Sequence, residues 1–274
     1  MADKITQTNI PIVTHKLSEE LESVYIIPLS DMQFGNSTFD EKAFIGYRDW
    51  ILSKPNAFTV LPGDIFEAPV LGNKASEFWD MGLTPKEAYK KAVKLVKPLA
   101  EAGKILGVIS GNHDLRIYKS TGNDMVEQLI SNLGLPTSGK NSIYDPLALV
   151  IRLVMNKEFT YKLYMTHGWG GARRTGAQVN KTEELASVVT DADVYLLGHE
   201  HTLYASRWDS ASIDNITSGE CKQVRQLFVG CGTYCRYTSF QKGIQRRLPN
   251  IGSPRIRLEG VSGVKGHRDI HVSI

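Results

Sequence analysis

The sequence predicts an α/β fold, and three observations predict it. Five short apolar runs end abruptly in small polar clusters, amphipathic segments lie between several of them, and only short strand-like runs follow residue 203. The runs over 24–29, 58–61, 105–109, 161–165 and 194–197 are bounded by Gly, Pro or small polar residues, as buried strands are. Between them, 41–53 and 123–133 have mixed apolar and polar spacing compatible with one-sided helices. The segment 84–103 carries the fullest helix signature: Thr84 and Glu87 at capping-box spacing, Pro85 at the first helical position and Gly103 as a stop. Pro98 is expected to kink that helix or end it early. Runs at 227–229, 255–258 and 269–274 predict further strands. No repeat, low-complexity tract or linker divides the chain, so residues 1–274 are expected to form one domain.

Composition excludes several classes. At 42% hydrophobic and 22% charged residues, the 274-residue chain is too apolar for disorder and long enough to bury a large core. A net charge of +3 excludes a polycation that binds nucleic acid or membrane by charge alone. The charge is uneven, however: residues 1–137 hold 14 Lys and Arg against 17 Asp and Glu, and residues 138–274 hold 18 against 12. Eleven of the thirteen arginines lie in that second half. The guanidinium fork suits phosphate, although drift in surface composition accounts for such a bias equally well. No apolar run approaches the roughly 18 residues of a membrane helix, so no membrane partner is expected. An odd count of three cysteines and a start without a basic, then apolar, segment predict reduced thiols and a cytoplasmic location.

The chemistry lies just past the five runs. There stand Asp31, Asp64, Asn112, His113, His167, His199 and His201, flanked by Gly63, Gly111, Gly168 and Gly198. In α/β sheets ligands bind beyond the carboxyl ends of strands. Taken singly, an Asp or Asn there is usually a turn residue or helix cap, and a His is usually structural. Taken together, mixed oxygen and nitrogen ligands suit borderline divalent ions, and so many of them predict two adjacent metals. Such a pair clamps the attacking and leaving oxygens of a displacement at phosphorus. His15, His267 and His271 lie outside the pattern and are read as structural. No phosphate-binding Gly-x4-Gly-Lys loop and no Gly-x-Ser-x-Gly elbow is present, and Gly230-x-Gly232 lacks the third glycine of a dinucleotide site.

The series Ser-Asp31-x-Gln33-x-Gly, Gly63-Asp64-x-x-Glu67, Gly111-Asn112-His113-Asp114, His167-Gly168 and Gly198-His199-x-His201 resembles the calcineurin-like metallophosphoesterases over about residues 25–205. The resemblance implies two packed mixed β-sheets flanked by helices in four layers, with two metals at one edge. It implies that Asp31 and His201 hold the first metal, that Asp64 bridges, and that Asn112, His167 and His199 hold the second. His113 would be the catalytic acid to the leaving oxygen, and Asp114 would orient its imidazole. Gln33 stands where that family has histidine, and its carbonyl oxygen is a harder, weaker ligand for a borderline ion. Manganese is therefore the expected metal, ahead of Fe, Zn, Ni or Mg. Glu67 replaces an Asp of the family and is expected just outside the ligand shell.

Substrate is less constrained. Trp169, Arg173 and Arg174 follow the ligand His167 in a Gly-rich loop and are expected, with Arg116, to meet substrate. From 225 to 257, Tyr234, Arg236, Tyr237, Phe240, Arg246 and Arg247 interleave aromatic and cationic side chains. That pattern suits stacking and phosphate contacts on single-stranded nucleic acid, and equally suits aromatics that pack a sheet with outward arginines. The Gly111–Arg116 extension and the Arg- and Tyr-rich tail are similar to phage and bacterial exonuclease-like members of the family. The expected activity is thus hydrolysis of a phosphodiester in DNA, RNA or a nucleotide. A phosphomonoesterase or protein phosphatase is the alternative, followed by a non-catalytic metal-binding scaffold. Oligomeric state is open, and a homodimer is compatible with the sequence.

Overall fold

All five apolar runs that end in polar clusters are strands, with bounds within one residue of those expected. The computed structural model describes residues 9–67, 80–155, 159–212, 221–260 and 269–274. One six-stranded mixed sheet has the order β12-β11-β2-β3-β4-β5, formed by β2 (Ser23–Pro28), β3 (Ala57–Pro62), β4 (Ile105–Ile109), β5 (Tyr144–Asp145), β11 (Arg255–Glu259) and β12 (Ile270–Ser273). The other has the order β1-β6-β7-β8-β10-β9, formed by β1 (Ile12–Lys16), β6 (Ala148–Val154), β7 (Thr160–Thr166), β8 (Val194–Leu197), β9 (Leu203–Ser212) and β10 (Lys222–Cys231). The neighbours β2, β3 and β4 pair in parallel, as do β7, β8 and β10, so each sheet gathers its polar strand ends along one edge. Antiparallel strands flank both parallel cores.

The two sheets pack face to face through residues that alternate along their strands. In the second sheet Leu149, Ile151, Leu163, Met165, Leu196 and Val229 join the main core with Ile27, Val60 and Val108 of the first. Their alternates Val150, Tyr164, Tyr195, Leu197 and Phe228 form a separate cluster with Leu185 on the opposite face. Gly107 in β4 permits the close approach: a Cβ there would stand 2.6 Å from Ile151 Cδ1 and 2.9 Å from Leu149 Cδ2.

Helices cover the outer faces. The helices α1 (Glu41–Ser53), α2 (Pro85–Glu101) and α4 (Met125–Asn132) lie together over the first sheet, and α5 (Thr175–Glu183) packs on β8, β9 and β10. The expected four layers are present. At the start of α2 the Thr84 side chain accepts from Glu87 N and the Glu87 carboxylate from Thr84 N, a cap that contributes about 1 kcal/mol. Pro98 does not end α2, which runs on to Glu101. With only three residues beyond it, the amide lost at the proline ring leaves the final turn in place. Asp124 caps α4 through Val126 N and Glu127 N, so the helix begins two residues later than the apolar spacing suggested. Two short helices complete the site region: α3 (Asp114–Thr121) and α6 (Ser239–Gly243). No helix among the described residues is long and apolar enough to cross a membrane.

Candidate metal centre

The strand-end residues converge in space, and the backbone is bent to make them do so. Among the described residues six non-glycine residues have positive φ, and five of them are Asp31, Gln33, Asp64, His199 and His201. Left-handed backbone is costly for residues with a Cβ, and its concentration at one edge marks a place where side-chain direction outweighs local strain. The turn after β4 approaches the turn after β3 so closely that a Cβ at Gly111 would collide with the Asp64 carboxylate and backbone.

Asp64, 1% exposed, is the centre of the arrangement. Its Oδ1 accepts from His113 N at 2.8 Å, and its Oδ2 lies 3.1 Å from His167 Nε2. Asn112 Oδ1 lies 3.2 Å from His167 Nε2 and 2.8 Å from His199 Nδ1. Asp64, His167 and His199 bring one ligand atom each to within 4.8 Å of one another. Beside them, Asp31 Oδ1 is 3.1 Å from His201 Nε2, while Asp31 Oδ2 accepts from Ser30 Oγ at 2.5 Å and His199 N at 3.1 Å. Asp31 Oδ1 is fully buried with no polar partner among the described residues beyond His201 Nε2, a position that suits a cation. His167 Nδ1 donates to Pro62 O at 2.8 Å, which turns its Nε2 toward Asp64 and Asn112. The donor set of carboxylates, imidazoles and one amide oxygen fits the divalent ions expected from the sequence.

Charge is balanced within the cluster. Burial works against a charged His167, but Asp64 and Asp31 overcome it and push its pKa up to about 10. For His199 burial and the neighbouring His167 win, and its pKa falls below the usual value. Asp64 stays well below the ordinary carboxylate range, its burial more than offset by His167 and His113.

His113 sits at the rim of the cluster. Its Nδ1 is 3.0 Å from Glu67 Oε1, and its Nε2 lies 3.7 Å from Asp64 Oδ2. Arg116 lies against the same ring, with Nη1 3.1 Å from Nδ1 and 3.5 Å from Glu67 Oε1. The expected contact between Asp114 and this imidazole is not formed. Asp114, 4% exposed, instead accepts from three backbone amides: Ile65 at 3.1 Å, Phe66 at 2.8 Å and Gly111 at 2.8 Å. It ties the two ligand-bearing turns together, and Glu67 holds the imidazole. Burial and Asp64 push the Asp114 pKa up to about 7 against the pull of those amides. Gln33 presents Nε2 3.5 Å from His113 Nε2, so its amide is already engaged at the rim.

Above the cluster opens a cleft of about 410 Å³, lined by Gln33, Asn112, His113 and His201 and by the cations Arg116, Arg173 and Arg246. Of the other expected substrate residues, Arg174 caps α5 and is exposed away from the cleft. Trp169 is 51% exposed and holds Lys181 Nζ 5.9 Å over its ring, outside the cleft lining. The interleaved aromatics divide. Tyr234 is wholly buried against Phe44 and Tyr47, and Tyr237 is half-buried, its hydroxyl donating to Arg246 O at 2.7 Å. Of these aromatics Phe240 is the one that lines the cleft. Arg236 pairs with Asp40 at 2.9 Å, and Arg247 donates to Thr175 Oγ1. The histidines read as structural behave so where described: His15 Nε2 meets Leu106 O at 2.7 Å, and His271 pairs with Asp269 at 2.8 Å. His267 lies outside the described residues. Cys231 and Cys235 are buried thiols, whereas Cys221 is exposed.

Glu200 and Gln241 were not singled out by sequence. Glu200, set between His199 and His201, is 3% exposed and accepts from Lys181 and Arg246. Gln241 Nε2 lies 3.1 Å from His201 Nδ1. For Glu200 the signal was a charge in the turn directly after a buried strand; Gln241 carried none.

No family model and no curated protein sequence matches the chain. Solved structures do match. A conserved protein of Streptococcus pneumoniae, described as a predicted phosphoesterase, is 17% identical, with 92% of this chain and 99% of that one covered and a TM-score of 0.36. A metallophosphoesterase of Sphaerobacter thermophilus is 11% identical over 92% and 89% of the two chains, TM-score 0.35. The calcineurin-like phosphoesterase YfkN of Bacillus subtilis is 13% identical over 91% and 90%, TM-score 0.40. Two mixed sheets with a ligand-rich edge are the architecture that the calcineurin-like metallophosphoesterase resemblance implies.

Proposed function

We propose that the protein is a metal-dependent phosphodiesterase acting on nucleic acid or nucleotides. One observation carries this reading: Asp31, Asp64, Asn112, His167, His199 and His201 converge beneath a cleft that bears His113 and three guanidiniums. Asp31 and His201 would hold one divalent ion, Asn112, His167 and His199 a second, and Asp64 both; manganese is the expected occupant. Gln33 offers an amide oxygen where an imidazole would bind more strongly, so the Asp31–His201 side would hold its ion more loosely. When bound, the metals supply Lewis acidity at phosphorus and an activated water near neutral pH.

The side chains of the rim do the rest. Arg116 and Arg173 draw the phosphoryl oxygens into the cleft and hold them by charge-assisted hydrogen bonds. His113 carries the proton for the departing alkoxide. Burial disfavours its charge, but Asp64 and Glu67 raise its pKa, so it enters the reaction as an acid. Glu67 fixes the ring through Nδ1, and Arg116 Nη2 lies 3.2 Å from its Nε2. An anion bearing one charge and two ester oxygens matches a cleft with three cations and two carboxylate walls, Glu67 and Asp80.

The test is release of p-nitrophenol from bis-p-nitrophenyl phosphate and from the mono-ester, with Mn²⁺ present. Faster turnover of the diester is expected. Preference for the mono-ester would replace the reading with a phosphomonoesterase, and turnover of neither at full metal loading would leave a binding scaffold.

A further inference from the structure

One cation of the cleft differs from the others in how it is held. Arg246 is 17% exposed, and three separate contacts fix it. Its Nη2 donates to Glu200 Oε2 at 2.7 Å, its backbone N–H donates to Gln241 O at 2.9 Å, and its carbonyl accepts from Tyr237 Oη at 2.7 Å. Glu200 itself is locked. It receives Lys181, which also donates to Trp169 O at 2.7 Å, and Gln178 Nε2 at 3.4 Å. A buried carboxylate with two cations is expensive to assemble, and it fixes whatever it anchors in one geometry. Here it anchors, through Nη2, a guanidinium that lines the cleft near Gly171.

The neighbourhood of Arg246 is equally specific. Phe240 and Ile244, one turn away on and after α6, form the apolar part of the same wall, and Phe240 is 37% exposed. The capping box of Thr238 and Gln241 holds α6, and Asp80 accepts from Ser239 N at 2.7 Å. An exposed aromatic face on a pinned helix beside a pinned guanidinium is a site for a planar ring attached to an anion. Arg116 lies instead against His113 and Glu67.

Resting on the phosphodiesterase reading above, we propose that Arg246 and Phe240 form a recognition subsite for the nucleotide next to the scissile bond, and that Glu200 is its positioning residue. Phe240 stacks the base, and Arg246 takes a second, non-scissile phosphate. The substrate class is therefore a diester carrying a nucleobase and a further phosphate, rather than a simple alkyl or aryl diester.

The experiment measures binding separately from turnover. Calorimetric affinities of the Mn²⁺-loaded protein are compared for phosphorothioate-linked dithymidine with and without a 5′-phosphate. The wild type is expected to favour the phosphorylated ligand about tenfold. Arg246→Ala should reduce that ratio to about one, and Glu200→Gln should reduce it in part. Phe240→Ala should weaken both ligands together, and Phe240→Trp should restore them. An equal loss for both ligands in Arg246→Ala, or an unchanged ratio, overturns the inference, because a merely structural arginine does not read the second phosphate. Metal content and melting temperature of each variant identify misfolding, and Arg246→Lys provides a second variant that keeps the charge. Hydrolysis of unmodified dithymidine by the wild type tests the underlying reading separately. Preferential binding without hydrolysis would leave the subsite and remove the phosphodiesterase.

Discussion

The two sides of the cleft are built on opposite principles. On the candidate ligand side the residues follow the strand ends within a few positions, and four of them, Asp31, Asp64, His199 and His201, are aimed by a left-handed backbone turn. On the side proposed for recognition, the Gly168–Arg173 loop and the 238–247 segment are tied by the buried pairs of Glu200 with Lys181 and Arg246. Backbone strain fixes the ligands, and side-chain charge fixes the wall. A metal ligand tolerates little displacement, so it belongs on the stiffest element available; a specificity wall can rest on loops that vary without disturbing the chemistry.

The largest effect that separates the two sides is expected from Asp64→Ala. It removes the carboxylate shared by the whole cluster, so bound metal, read by atomic emission, and phosphodiesterase activity should both fall to background. Retention of full metal content would mean that Asp64 is structural and that the ligand side is misassigned. His113→Ala comes next. It should keep its metal and lose turnover by about 10²–10⁴-fold, the range for removal of a general acid. Loss of metal in this variant would make His113 a ligand and move the boundary between cluster and rim.

These two residues also show what was legible in the sequence. Asp64 and His113 were readable because metal chemistry restricts residue type and because an apolar run that stops at Gly-Asp or Gly-Asn-His announces a strand end. The strands themselves were readable for the same reason. The partner of His113 was not: Asp114 is adjacent in sequence, but the first turn of α3 carries its carboxylate back onto the amides of residues 65, 66 and 111. Glu67 reaches the ring across 46 positions of chain. Likewise, nothing local distinguishes Tyr234, which is buried among Phe44 and Tyr47, from Phe240, which lines the cleft; only the packing of distant segments does so. Strand β9 also escaped notice, because it carries Arg207, Trp208, Asp209 and Ser210 on a largely exposed edge and so lacks a clear apolar rhythm.

Asp114→Ala tests the boundary as a matter of stability rather than catalysis. It leaves three amides between the ligand turns without their acceptor, at a cost on the order of 3–4 kcal/mol. In a chain of this size that corresponds to a melting temperature lower by roughly 8 °C. Differential scanning calorimetry of the metal-free protein would show it. A large loss of turnover at an unchanged melting temperature would instead return Asp114 to the catalytic role that its position in sequence suggested.

The smallest effect comes from contrasting histidines in and out of the site. His167 faces two carboxylates and its pKa is pushed up, whereas His15 on β1 is half-buried against Leu106 O and its pKa is pushed down by that partial burial. A histidine with a lowered folded pKa takes up its proton less readily than the unfolded chain does. Its contribution is therefore complete above the unfolded pKa of about 6.5 and is lost as pH falls below that value. Replacing it by Gln keeps a donor for Leu106 O but removes the titration. Urea unfolding at pH 7.5 and 5.5 should then show a shallower loss of stability in His15→Gln than in the wild type. The difference is limited to about 1.4 kcal/mol per pH unit, the linkage of one proton. A steeper loss in the variant would mean that His15 is charged in the folded protein, and the contrast between a neutral core histidine and a carboxylate-paired ligand histidine would fail.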